Sequence, residues 1–150
     1  MTTKQESTRR PPARSSAMVA WLLAPSTTQS RALGLVRIVV GVVFVAAGSG
    51  KFLDHAQAVT DFRHWGLTAA TGALVSLIGV AELVGGAVLV FGVATRLAAL
   101  ILVGDMVGAI ATAGRVDGGV HLIVPPLLAA ACLLLAVRGG GARQPLRRAR

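Results

Sequence analysis

The sequence is short of charge. Only 14% of its 150 residues are Asp, Glu, Lys or Arg, where a water-soluble domain carries about a quarter. Acids are scarcest, six against 15 Lys and Arg. Cysteine is nearly absent. The lone Cys132 can form no internal disulfide and no CxxC redox pair, and it reads as a small packing residue in an apolar run. There is no HExxH or other metal pattern, no GxGxxG, no P-loop and no nucleophile elbow. Zinc-peptidase, dinucleotide, nucleotide-hydrolysing and serine-hydrolase chemistry therefore have no support in the motifs.

What is abundant is apolar sequence. Hydrophobic residues make up 54% of the chain, and the mean hydropathy is +0.71. They fall in long blocks rather than in amphipathic stripes, which points to an integral membrane protein with a single domain. The formal net charge is +9. The basic residues gather at the two ends and flank apolar segments, so anionic lipid and membrane topology explain them better than nucleic acid does. The bias to Arg, Ala, Gly and Val suggests a high-GC bacterial genome.

Along the chain, residues 1–30 read as a disordered basic cytoplasmic tail. Its one apolar patch, residues 17–24 with Trp21, is too short for a signal-peptide core and has no small-x-small cleavage site after it. An interfacial turn fits it better. Four spanning helices are expected at about 32–50, 70–91, 96–113 and 122–137. Lys51–Thr68 and Gly114–Gly119 form polar loops, Gly92–Arg96 forms a hinge, and residues 139–150 form a flexible basic cytoplasmic tail. Pro125 and Pro126 suit the first turn of the fourth helix. Lys4, Arg9, Arg10, Arg14 and Arg31 lie before the first helix, Arg96 in the hinge, and five arginines from Arg138 onward after the last. The positive-inside rule then places both termini in the cytoplasm.

Three charges fall inside the spans. Arg37 shares a helical face with Gly34, Gly41, Phe44 and Gly48. Glu82 shares one with Gly79, Gly85 and Gly86, and Asp105 one with Gly108, Ala109 and Thr112. Small residues let helices approach closely, so these faces should point into a four-helix bundle, and Gly104 with Gly108 reads as a GxxxG contact. Each acid costs roughly 2.5–3.5 kcal/mol at mid-membrane on translocon scales, so something must compensate. Counting residues places Glu82 and Asp105 level, roughly 15 Å deep, and Arg37 only about 7–8 Å deep. Helical side chains lean toward their own N-terminus. That favours Arg37–Asp105 as the direct pair and leaves Glu82 without a cation, as a neutral, exchangeable carboxyl. It reads equally as a proton relay or substrate ligand and as a hydrogen-bonding element of packing.

The other candidates lie outside the spans. His55, His64 and His121 fall on the outer face with Asp54, Asp61 and Asp117, where a metal or proton site competes with plain solvated loops. Their spacing supports no metal. Lys51 should snorkel to headgroups, and Phe62 and Trp65 should sit in the aromatic belt.

Three stretches carry a family likeness. RIVVGVVFVAAGSGKF (Arg37, Gly41, Phe44, Gly48, Lys51), FRHWGL (Phe62, Gly66) and AELVGGAVLVFGVATRLAALIL (Glu82, Gly85, Gly86, Gly92, Thr95, Arg96) resemble, in that order, the DoxX family of small bacterial membrane proteins. The likeness covers about Arg31–Ala113. Two departures stand out. Leu67 stands where the family usually has Pro, and Arg138-Gly139-Gly140-Gly141 stands where it often ends in Gly-Pro-Gly and an Asp. The resemblance implies four helices in the inner membrane and a redox association, relatives including the membrane subunit of a thiosulfate:quinone oxidoreductase. No flavin, haem or metal motif is present, so electron chemistry would need a quinone or a redox partner protein. Three functions follow as expectations: a quinone-linked or redox/oxidative-stress complex subunit in which Glu82 and Arg37 bind a polar head group or relay protons; a small proton-coupled transporter using Glu82 and Asp105; or a scaffold whose charges only fix packing. Homo-oligomers fit all three.

Overall fold

A helix needs about 20 residues to cross the roughly 30 Å apolar layer of a bilayer, and four stretches of the chain supply them. The computed structural model describes residues 18, 19, 22, 31–69 and 71–138. The expected tails and the patch around Trp21 lie outside these, apart from Met18, Val19 and Leu22. The helices are α1 (Arg31–Leu53), α2 (His55–His64), α3 (Thr71–Phe91), α4 (Thr95–Ala111), α5 (Ala113–Val116) and α6 (Val124–Arg138), with a 3-10 turn at Gly119–Leu122. The four spans are α1, α3, Thr95–Val116 and Gly119–Arg138. Among the described residues there is no strand. The fold is the expected all-α membrane protein with four spanning helices.

The bundle is built from two antiparallel pairs, α1 with α3 and α4 with α6, joined where α3 meets α4. Glycine fixes the first pair. A Cβ on Gly41 would lie 2.7 Å from the Gly86 carbonyl oxygen, and one on Gly48 would lie 2.7 Å from that of Gly79. Backbone therefore lies on backbone, which no larger residue permits. The α3–α4 turn needs glycine for another reason. Gly92 has φ of +77°, and its N–H donates to Val88 O and Leu89 O, an ordinary helix C-cap.

The close-packed core comprises Val40, Phe44, Leu89, Ala98, Ala99, Leu102, Met106, Cys132, Leu135 and Ala136. Most of these lie in the half of the bundle that holds the α3–α4 turn, Arg31 and Arg138, here the terminal end. The opposite half, the loop end, is packed differently. The outer surface is apolar all round, with Leu35, Val39, Val84, Ile101 and Leu127 among the exposed residues, as lipid contact requires.

The polar loop expected at Lys51–Thr68 is corrected by the structure. Helix α1 runs on through Lys51 to Leu53, and α2 fills most of the remainder. Asp54 is the N-cap of α2 and accepts a hydrogen bond from Gln57 N at 3.3 Å. Phe62 is its buried residue. The second expected loop contains α5 and the 3-10 turn. Pro125 and Pro126 sit in the first turn of α6, where a missing N–H costs no helical bond.

Candidate functional site

Helix contacts set which charges can meet. Gly85 of α3 lies against Leu102 of α4, so in an antiparallel pair Glu82 is level with Asp105. Their carboxyls face each other within reach of a shared hydrogen bond. The cation beside them is Lys51. Its Nζ donates to Glu82 Oε2 at 2.5 Å, and it also acts electrostatically on Asp105. The Glu82 side chain is 4% exposed and that of Lys51 is 19% exposed.

The direction in which side chains lean explains why Lys51 arrives here. A Cβ on Gly79 would touch Lys51 Cβ at 3.4 Å, so the Lys51 backbone is level with Gly79, about one turn nearer the loop end than Glu82. Lys51 leans toward the α1 N-terminus, down into the bundle. Glu82, on the antiparallel α3, leans up. The long lysine stem closes the remaining gap. The expected snorkelling of Lys51 to headgroups is therefore corrected, because its head turns inward to a carboxylate.

The same rule moves Arg37 away. Gly41 is level with Gly86 and Val90, so Arg37 is level with the C-terminal end of α3. It lies about 15 Å from Glu82 along the axis at 1.5 Å per residue. Its side chain is buried and lies against Gly92, where any Cβ would collide with the guanidinium. No ion pair joins Arg37 to Asp105 among the described residues. The expected Arg37–Asp105 pair and the unpaired Glu82 are both overturned. Glu82 has the direct cation, and Asp105 is the carboxyl with an unmet oxygen, since Oδ2 is buried without a hydrogen-bond partner.

Charge counting gives this group its chemistry. One ammonium balances one carboxylate. A proton held between the two carboxyls would complete the balance and supply the donor that Asp105 Oδ2 lacks. The arrangement can therefore hold a proton at mid-bilayer and pass it to a bound molecule.

A cavity of about 540 Å³ opens beside it at the loop end. Leu74, Ile78, Ala81, Gly104, Gly108 and Ala109 form its walls, Lys51 and Asp105 its polar floor, and Phe62, Trp65 and His121 its mouth. The expected GxxxG contact at Gly104 and Gly108 is corrected here. A Cβ on either would meet nothing within 4 Å, so these glycines line open space. Gly41, Gly48, Gly85 and Gly86 are the ones that bring helices together. Arg96 lies in the first turn of α4, beside the Gly92 turn.

The mouth is tied by Asp117. Trp65 Nε1 donates to Asp117 Oδ2 at 2.5 Å, and His64 Nε2 lies 2.9 Å from Oδ1. His121 Nε2 is 4.0 Å from Oδ2, and its ring meets Trp65 edge-on. His55 is elsewhere, with Nδ1 3.2 Å from Lys51 O. Among the described residues no three His, Cys, Asp or Glu are arranged to hold a metal ion. The Trp65 indole first, then His64 and His121, hold the Asp117 carboxyl below its ordinary value. A depressed folded value means the tie is intact above the ordinary carboxylate range, about 4, and is lost as pH falls through the lower folded value. In a Trp21→Phe background, Trp65 fluorescence should hold from neutral pH down to about 4 and change below it. Asp117→Asn should abolish that transition. A transition surviving the substitution would mean that Asp117 is not the tie.

Neither Asp105's open oxygen nor the Lys51–Glu82 pair was read from the sequence. The signal for the pair was present, because the lean that turns Glu82 toward the loop end also turns Lys51 toward Glu82.

The comparisons bear on family. A family model described as DoxX matches residues 32–115. Over 76 residues the chain is 42% identical to "Uncharacterized membrane protein Rv3486" of Mycobacterium tuberculosis, covering 50% of this chain and 46% of that one. Over 78 residues it is 31% identical to "Putative oxidoreductase CatD" of Bacillus subtilis, covering 52% and 56%. The chain thus spans about half the length of the curated relatives it matches. No solved structure matches it.

Proposed function

The chain belongs to the DoxX family, and on that footing we propose that it is the membrane subunit of a quinone-linked redox complex in the bacterial inner membrane, with both ends cytoplasmic. One observation carries this reading: an apolar cavity reaches a floor where a buried carboxylate oxygen lacks a donor beside a half-buried ammonium. The oxidoreductase name of the Bacillus subtilis relative agrees with it.

The residues present fit a quinone head. Its ring needs apolar walls, which Phe62, Trp65, Leu74 and Ile78 supply. Its oxygens need a donor or an acceptor according to redox state, and Lys51 and Asp105 offer one of each. A lipid-soluble molecule also needs a lateral entry, and Leu77 on the wall is 67% exposed at the apolar surface. A bound quinone would supply two-electron, two-proton chemistry. In this reading Asp105 accepts or returns a proton at the head group, Glu82 holds it, and Lys51 donates a hydrogen bond to Glu82. A partner redox protein gives or takes the electrons.

The test is quinone and partner recovery from native membranes. Gly108→Leu places a side chain in open space, so it should fill the cavity and abolish recovered quinone without disturbing helix contacts. Asp105→Ala removes a charged hydrogen-bond partner, worth about 1.5–3 kcal/mol, so binding of a soluble quinone analogue should weaken roughly tenfold to a hundredfold. Full quinone retention by both variants would refute the assignment.

A further inference from the structure

A second cavity, of about 260 Å³, lies on the other side of Lys51. Gly50, Asp54, Gln57 and Asp61 line it together with Lys51. It is formed where α2 folds back over the end of α1, with Asp54 exposed on the loop-end face and Asp61 half-buried. Gln57 fixes both of them. Its backbone N–H donates to Asp54 Oδ1, and its side-chain amide donates to Asp61 Oδ1 at 2.7 Å. Lys51 lines both cavities. Glu82 and Asp105 face its ammonium from α3 and α4, and Asp54 and Asp61 share its outer cavity.

Toward the terminal end the described residues pack closely. There Phe44, Leu89, Leu102 and Leu135 are 1% exposed or less, and the helices α1 and α3 touch backbone to backbone at Gly41 and Gly86. The buried charge at that end, Arg37, lies about 15 Å from Glu82 along the axis with this apolar layer between them, and a proton cannot cross such packing without polar groups to carry it.

We propose that the second cavity is the proton inlet of the buried group, so that Glu82 and Asp105 exchange protons with water on the loop end only, with Lys51 as the gate. The ammonium passes a proton to the Glu82 carboxylate along their hydrogen bond. The neutral amine left behind takes one from water in the inlet, the hydroxide so formed leaves to the loop-end medium, and the group returns the proton and its charge by the reverse steps. Protons and charge both close, and no electrons move. The assignment does not depend on what occupies the first cavity. It gives the site a sidedness that neither cavity has alone.

The test is thiol access in sealed vesicles, using the full chain with Cys132→Ala and a charged, membrane-impermeant thiol reagent. Thr68→Cys, exposed in the loop, reports which vesicles present the loop end. Lys51→Cys and Gly50→Cys should both react from that side and not from the other. Gly50→Cys keeps the Lys51–Glu82 pair intact, and its Cβ meets nothing within 4 Å, so it remains informative if Lys51→Cys misfolds. Ala58→Trp, filling the inlet, should slow labelling at position 51 by about tenfold or more, since reactivity follows access. Gly108→Leu, filling the first cavity, should not. Silence of both cysteines from the loop side, reaction from the opposite face, or slowing by Gly108→Leu but not by Ala58→Trp would each overturn the inlet. None of these readouts involves quinone, so this failure and that of the quinone assignment are separable.

Discussion

Replacing Lys51 with Met should cost the protein roughly 3–5 kcal/mol, the range found when one partner of a buried ion pair is removed. The substitution leaves two carboxyls facing each other at mid-bilayer with no cation beside them. Glu82→Leu should cost less, because Lys51 then still has Asp105 within electrostatic reach. Glu82→Gln should cost least, since the amide keeps an acceptor for Lys51 and a donor for Asp105 Oδ2. The double variant Lys51→Met with Glu82→Leu should recover much of the loss, because an apolar pair of similar volume replaces both charges. Reversible unfolding in mixed micelles, read as a double-mutant cycle, gives the coupling directly. Additive costs would mean the pair contributes nothing as a pair. Glu82→Gln as costly as Lys51→Met would mean that shape, not charge, matters at this position.

The order of these variants also separates structure from function. Glu82→Gln keeps the hydrogen bonds but can no longer accept and release a proton. If it folds like the wild type yet loses quinone-dependent activity with the partner, the proton is what the site handles. If activity survives, the acid serves packing alone.

The four spans were legible because a helix that crosses lipid must be apolar on every side, and that demand writes long blocks into the sequence. The level placement of Glu82 and Asp105 was legible too, since residue counting from a short turn fixes height in an antiparallel pair. The cation was not. Counting measures the height of a Cα, and Lys51 carries its charge about one turn away from its own backbone. Helix α2 was obscured by its polarity. It binds the rest of the protein chiefly through Phe62, so it lacks an apolar stripe. Its start was nonetheless marked by Asp54 followed three residues later by Gln57, a capping pattern. The cavity had no sequence signal of its own. A glycine on an inward face can mean contact or space, and the pattern is the same for both.

That ambiguity gives the sharpest contrast among substitutions. Gly41→Ala and Gly86→Ala should each destabilise strongly, at or above the 1–3 kcal/mol typical of overpacking, about a tenfold to hundredfold loss in the folding equilibrium. The new methyl at 41 would meet Gly86 O at 2.7 Å, and that at 86 would meet Gly41 O at 2.6 Å. Neither neighbour is a side chain that can turn aside. The only relief is to part α1 from α3, and parting them pulls Lys51 away from Glu82 as well. Both substitutions should therefore weaken the buried pair and lower quinone recovery. Gly104→Ala and Gly108→Ala should be neutral or stabilising, since their Cβ atoms meet nothing and alanine is the better helix former by roughly 0.5–1 kcal/mol. All four glycines share the small-residue character that a sequence reading assigns to helix contacts. Unfolding of the four alanine variants side by side distinguishes them. If Gly104→Ala or Gly108→Ala destabilised as much as Gly41→Ala, α4 would be packed against a helix at those positions, and the cavity on which the proposed function rests would not exist.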